Sequence, residues 1–494
     1  MKKNISTKLI LALAVVYLSA GCDKITDINR SPNNPPIELA TPQVLFPSGV
    51  QSTAGRVGGE LAIIGGIWSQ FWTQAALSNQ YKDIDSYGIQ RQDRNGNYSG
   101  LMAGALNDYK LTIEKSKTSG PIQYYLMATV MKAYTYQVLV DLYDQVPYTE
   151  ALQGQANLQP KFDDGYSIYK GLIAEIDAAL TATASEGNLS PAANASTDFV
   201  FVGNMAKWRA FANTLKLKMY LRMVNAKPAE AEAGVKKLYA DGVAFLTEAA
   251  AVTSYVNTPD QGNPFYEYNV RRLGVGNLRA SKTFVTWLVA NSDPRITPYF
   301  GSTNPGSINQ GDYAAVGEPT YANAATPVQK ATDPVWFISK AESYYLQAEA
   351  RLRYGVGSET DASLFRKGLV AAFAEQGLAE AVIPTSAAYV YPAAGTLQQK
   401  LKTIIVQKWA ALPGSHSLEA FFEQERTGYP EISPVTSKDV SYATDHAGEW
   451  VYSFGGVTSG KKFPKRLVFP DVEASRNPNT PAEVPITTPV WWGK

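Results

Sequence analysis

Residues 122–143 are apolar almost all round, and a helix of that kind has to be covered by neighbours on several sides. The rest of the chain supplies such neighbours. Leu61, Ile64, Trp68, Phe71, Trp72 and Ala75 recur three and four residues apart. Tyr169, Leu172, Ile173, Ile176 and Leu180 form a second stripe, with Asp163-Asp164 placed to cap it. Trp208, Phe211, Leu215 and Met219 form a third, with Arg209, Asn213 and Lys216 expected on the far side. Thr396 and Gln399 have capping-box spacing ahead of Leu401, Ile404 and Ile405. The expected fold is mostly α, with helices stacked in layers. Long irregular stretches at 77–100, 181–204, 252–280, 301–335, 380–395 and 427–490 separate them, rich in aromatics and glycine. No fixed-period repeat is visible.

The amino-terminal segment is a separate matter. Met1-Lys2-Lys3, an apolar run at 9–18 and Ser19-Ala20-Gly21-Cys22 are the parts of an export signal, too short to span a bilayer. The single cysteine of the chain stands directly after Ala-Gly, as in a lipobox, so Cys22 is the expected lipidation site and 1–21 the signal peptide. Residues 22–47, proline-rich at their start, read as a lipidated tether and extended lead-in, leaving 48–494 as one body. Three lysines and no acid lie in residues 1–21, so the formal charge of +1 becomes −2 beyond them. A near-neutral body without a basic stripe argues against nucleic-acid binding. One Cys and two His exclude disulfide frameworks, cysteine-ligated metals and a three-histidine zinc site, while oxygen-ligated calcium stays compatible.

Motifs in order along the chain make it similar to a known family. They begin with Asp27-Ile28-Asn29, Pro32-Asn33-Asn34-Pro35 and Thr41-Pro42-Gln43. Asp141-Leu142-Tyr143 and Val146-Pro147-Tyr148-Thr149-Glu150 follow, with Asp144-Gln145 where the family has Gly-Asp. Then come Pro160-Lys161-Phe162-Asp163, Arg279-Ala280-Ser281, Asp293-Pro294-Arg295, Gln347-Ala348-Glu349-Ala350, Gln407-Lys408-Trp409, Glu425-Arg426-Thr427-Gly428 and Pro464-Lys465-Arg466-Leu467. The chain resembles the SusD/RagB group, SusD-like branch, of nutrient-binding outer-membrane lipoproteins of Bacteroidetes-type bacteria. The resemblance implies a tetratricopeptide-type helical scaffold with an irregular loop-rich subdomain. It implies a surface-exposed, lipid-anchored protein that captures glycans or oligosaccharides and delivers them to a TonB-dependent barrel of the SusC type. Peptide binding is the alternative within the family. No catalytic residue, metal or other cofactor is implied.

Apparent catalytic motifs dissolve on inspection. Gly455 to Lys461 has phosphate-loop spacing, but Lys462 stands where Ser or Thr is needed and Pro464 where a helix should begin, so it reads as a surface turn. Asp83/Asp85, Asp163/Asp164 and Glu423/Glu425 are more simply caps, turns or solvated helix faces than glycosidase pairs. Sugar recognition instead needs flat rings flanked by amides and charges in a preformed hollow. Trp68, Trp208 and Trp409 fall on helical stripes and are assigned to the core. The candidate ligand platform is Trp72, Asn79, Tyr81 and Tyr87 in one segment and Phe265, Tyr266, Tyr268 and Arg271 in another. Trp450, Tyr452, Trp491 and Trp492 are further candidates for exposed rings.

Overall fold

The computed structural model describes residues 40–190, 197–314, 321 and 323–493. Cys22, the signal and most of the tether lie outside them. The longer helices are α1 (Pro42–Val57), α2 (Glu60–Trp68), α3 (Asn107–Thr118), α4 (Gln123–Tyr143), α5 (Gly165–Ala182), α6 (Met205–Arg222), α7 (Pro228–Ala240) and α8 (Lys282–Ala290). They continue with α9 (Lys340–Tyr354), α10 (Asp361–Ala374), α11 (Leu397–Ala411) and α12 (Ser417–Thr427). Consecutive helices pack as pairs, α3 on α4, α6 on α7 and α9 on α10. Strands among the described residues pair as three short antiparallel ribbons, Trp72–Gln74 with Leu278–Ala280, Gln145–Val146 with Asp163–Asp164, and Ala250–Val252 with Val335–Ile338, with isolated parallel bridges such as Ser281 to Ile308 beside them.

The expected helix signals appear where the residues place them. Asp164 caps α5 by accepting from the Ser167 N–H, and Thr396 with Gln399 closes a full capping box on α11. α4 is buried over nearly its whole length, and one continuous apolar core runs from Phe46 to Trp492. Trp68, Trp208 and Trp409 are inside it.

Three expectations need correction. The extended lead-in does not reach residue 47, because α1 starts at Pro42, where proline's fixed φ suits the first helical position. The stripe ending in Trp72 and Ala75 is not one helix: α2 stops at Trp68 and Trp72 opens a strand. The far side of α6 is not solvated either. Asn213 and Lys216 are buried, as are Lys218 and Arg222, since neighbouring helices cover this helix all round.

The polar side of that covering is a layer of buried ion pairs. Lys218 Nζ lies 3.0 Å from Glu342 and 2.7 Å from Glu419. Arg222 reaches Glu419 at 2.6 Å, Glu423 at 2.7 Å and Asp141 at 3.3 Å. Arg426 holds Glu349 and Glu423, both at 2.6 Å. Glu423 and Glu425 are therefore interior groups, not a solvated face, and Asp85 is likewise fully buried, accepting from Thr73, the Gln74 N–H and Gln310. Trp450 and Trp492 are not exposed rings: they are 1% and 0% accessible. Trp492 donates its indole N–H to Asp141 at 2.7 Å and lies under the Arg222 guanidinium at 4.9 Å.

Candidate functional site

The two loop segments singled out from the sequence do meet in space. Tyr81 donates its hydroxyl to Asn269 Oδ1 at 3.0 Å. What they present differs from an open aromatic platform. Trp72, Tyr81, Tyr87 and Phe265 are closed into the core, each no more than 3% accessible. Trp72 packs on Phe265 at 5.3 Å, and its indole lies so close to α2 that a Cβ on Gly66 would come within 2.1 Å of it. Tyr87 packs on Tyr452 at 5.5 Å. Asn79 is exposed but does not line either hollow described below. Tyr266 is half-buried under the Arg271 guanidinium at 5.3 Å. Arg271 is held by Glu267 at 2.5 Å and Asn257 at 2.7 Å. Tyr268 is the ring among the eight candidates that faces a hollow of charged and polar groups.

That hollow is a groove of about 580 Å³ lined by Arg56, Glu60, Asn97, Tyr255, Gln261, Glu267, Tyr268 and Arg272, among others. The local sequence builds it. Gly58 and Gly59 end α1 and let α2 begin at once, since a Cβ on Gly58 would meet Val335 at 2.5 Å and one on Gly59 the Gly55 carbonyl at 2.5 Å. The tight break brings Arg56 and Glu60 to the same opening. Two π-helical segments, Gly100–Leu106 and Tyr266–Arg272, border the area, and such widened turns recur at functional sites.

The groove's charges are mostly matched. Glu60 accepts from Arg94 at 2.5 Å and from Asn97 at 2.8 Å. Burial opposes the charge on Arg94, but Asp83 and Glu60 more than offset it and raise the guanidinium above its ordinary range. Glu267 accepts from Arg271 and from the Gly262 N–H at 3.1 Å, and Asp260 pairs with Arg272 at 2.9 Å. Burial, then Glu60, pushes the Tyr268 phenol up, so it stays a neutral donor and acceptor. The Tyr255 hydroxyl is buried without a hydrogen-bond partner among the described residues. Aromatic rings beside fixed amides, carboxylates and guanidinia can stack on an apolar ring face and exchange hydrogen bonds with hydroxyls.

A second cleft of about 290 Å³ lies across the 262–265 segment. Trp72, Phe265, Tyr299, Phe300 and Trp336 make it markedly aromatic, and Glu375, pushed up to about 7 by burial, stands on its wall. Trp336 stacks on His416 at 4.6 Å, and burial lowers that imidazole to about 3, so it is neutral.

Arg56, Glu60, Asn97, Tyr255 and Arg272 were not among the candidates read from sequence. A signal for part of this set exists: Gly96, Gly100 and Gly104 recur every four residues, a helical stripe with no side chains, opposite a helix that ends in Arg56-Val57-Gly58-Gly59.

Residues 35–446 match a family model described as "Starch-binding associating with outer membrane". Among solved structures, the fold is shared with a SusD-like protein from Bacteroides thetaiotaomicron VPI-5482, at TM-score 0.72 and 20% identity over 92% of this chain and 98% of that one. A chitin-binding SusD homolog from Flavobacterium johnsoniae aligns at TM-score 0.70 and 21% identity, over 91% and 96%. A SusD homolog from Bacteroides vulgatus ATCC 8482 aligns at TM-score 0.70 and 18% identity, over 90% and 93%. No curated protein matches the sequence.

Proposed function

Since the chain belongs to the SusD-like family of starch-binding proteins associating with the outer membrane, we propose that it captures oligosaccharides at the surface of that membrane. It holds them in the groove between Arg56, Tyr255 and Tyr268 and hands them to a TonB-dependent barrel of the SusC type. Cys22 carries the lipid that keeps the body at the membrane, and no bond of the ligand is made or broken. The observation that carries this reading is the groove itself, about 580 Å³ with tyrosines set among paired charges and amides. Its carboxylates are held by Arg94, Arg271 and Arg272, which suits them to accept hydroxyls and not to shuttle protons.

Calorimetric titration of the full chain in mild detergent tests the reading. The panel contains chito- and malto-oligosaccharides, chosen because relatives are described as chitin- and starch-binding, and a pool of peptides. At least one oligosaccharide should bind, and Tyr268→Ala should weaken it by about tenfold, the worth of one stacked ring with its hydrogen bond. Binding of peptides with no oligosaccharide bound would overturn it in favour of a peptide receptor.

A further inference from the structure

Every acidic side chain that lines the groove has a basic partner, but Arg56 does not. Its guanidinium has no hydrogen-bond or ion-pair partner among the described residues. It is nonetheless positioned. The side chain lies against the glycine stripe: a Cβ on Gly100 would come within 2.4 Å of Arg56 Nε, and one on Gly96 within 3.2 Å of Nη1. Absent side chains at these two positions make the bed in which the guanidinium rests.

Arg56 also stands between two hollows. The groove of about 580 Å³ and a neighbouring one of about 450 Å³ share Gln51, Gly55 and Arg56 in their walls, and Gly100 and Gly104 line the second. A guanidinium carries five N–H donors in a planar fork suited to two oxygens of one anion. Here that fork is held by packing, its donors are unspent, and the approach from both hollows is unobstructed by side chains of the stripe. Glu60, the nearest groove acid in sequence, is engaged by Arg94 and Asn97, which offsets its repulsion of an incoming anion.

We propose, on the oligosaccharide reading above, that Arg56 is an oxyanion subsite and that the natural ligand is an acidic glycan, bearing carboxylate or sulfate groups on its sugars.

The probes are tetragalacturonate, its neutral methyl ester, and a κ-carrageenan tetrasaccharide, which carries sulfate esters and no carboxylate. They are titrated into the full chain in mild detergent at low and high salt. At least one acidic probe should bind about tenfold tighter than the methyl ester at low salt, with the margin shrinking at high salt. Which of the two shows the margin identifies the anion. Arg56→Gln should erase the margin, weakening the acidic probe about tenfold more than the methyl ester. Gly100→Ala keeps the charge but displaces the guanidinium, so it should reduce the margin as well. Equal binding of acidic and neutral probes, or a margin that survives Arg56→Gln, overturns the oxyanion subsite alone, provided Tyr268→Ala still weakens the glycan. If no oligosaccharide of any charge binds, the oligosaccharide reading fails together with it.

Discussion

Glu425 has both carboxylate oxygens buried and without hydrogen-bond partners among the described residues, and burial pushes it up to about 8 despite Lys465, Arg222 and Arg466 nearby. Asp141, also facing it, pushes in the same direction as burial. A folded-state value above the unfolded one of about 4.3 means that the native chain keeps a proton which the unfolded chain gives up. The group therefore favours folding most at low pH, and that contribution declines as pH rises from about 4.5 toward 8. Glu425→Gln keeps the shape and removes the titration. Urea denaturation at pH 8 should show a gain of at least about 1 kcal/mol relative to pH 5, against the same comparison for the unaltered protein. Single residues are where the sequence was hardest to read. Tyr81 and Tyr87 sit in a polar, off-stripe segment, and nothing local to it announces that Asn269 and Tyr452 will close over them from more than 180 residues away. Arg56 was invisible for the opposite reason. An arginine at a helix end is ordinary, and its isolation from acids is a fact of three dimensions.

Helices were the legible scale. Apolar spacing, the Asp164 cap and the Thr396–Gln399 box are local signals, and apart from the stripe that runs past Trp68 to Ala75 each lies where the residues put it. The burial of Lys216, Lys218 and Arg222 on α6 was not legible, because a charge on a helix ordinarily faces water. Lys216 pairs with Asp177 of α5, while Lys218 and Arg222 survive burial through Asp141 of α4, Glu342 of α9, and Glu419 and Glu423 of α12. Burial opposes ionisation of Glu419, but Arg222, Lys218 and Lys408 hold it at about 2. Glu419 thus contributes stability above its unfolded value of about 4.3 that is lost as pH falls toward 2, the reverse of Glu425. Removing one cation leaves Asp141, Glu419 and Glu423 short of compensation. Arg222→Met should cost about 3–5 kcal/mol in equilibrium unfolding, more than the loss of an exposed pair such as Lys236–Glu232.

At the scale of the whole molecule, the fold class followed from the sequence because a helix apolar all round has few ways to be covered, and ordered motifs over most of the chain narrowed them further. The site followed only in part: Tyr268 and the glycine stripe beside Arg56 can be seen in the sequence, but the meeting of residues near 56, 97, 255 and 268 in one groove cannot. The proposed transporter partner belongs to this scale too. Among the described residues no helix is long and apolar enough to cross a membrane. A tagged chain drawn from mildly solubilised outer membranes should bring a large barrel with it, and recovery of the chain alone would count against delivery to a transporter. The Trp492–Asp141 hydrogen bond has a bearing on time as well as on stability. Its two ends are 351 residues apart. At synthesis rates of about 5–20 residues per second, α4 waits on the order of half a minute for the indole that closes over its aspartate. Arg222 and Glu419, 197 residues apart, impose a shorter wait of the same kind. A nascent chain whose interior is completed so late remains threadable while it is being made, the condition that passage through an export channel would set under the surface location proposed above.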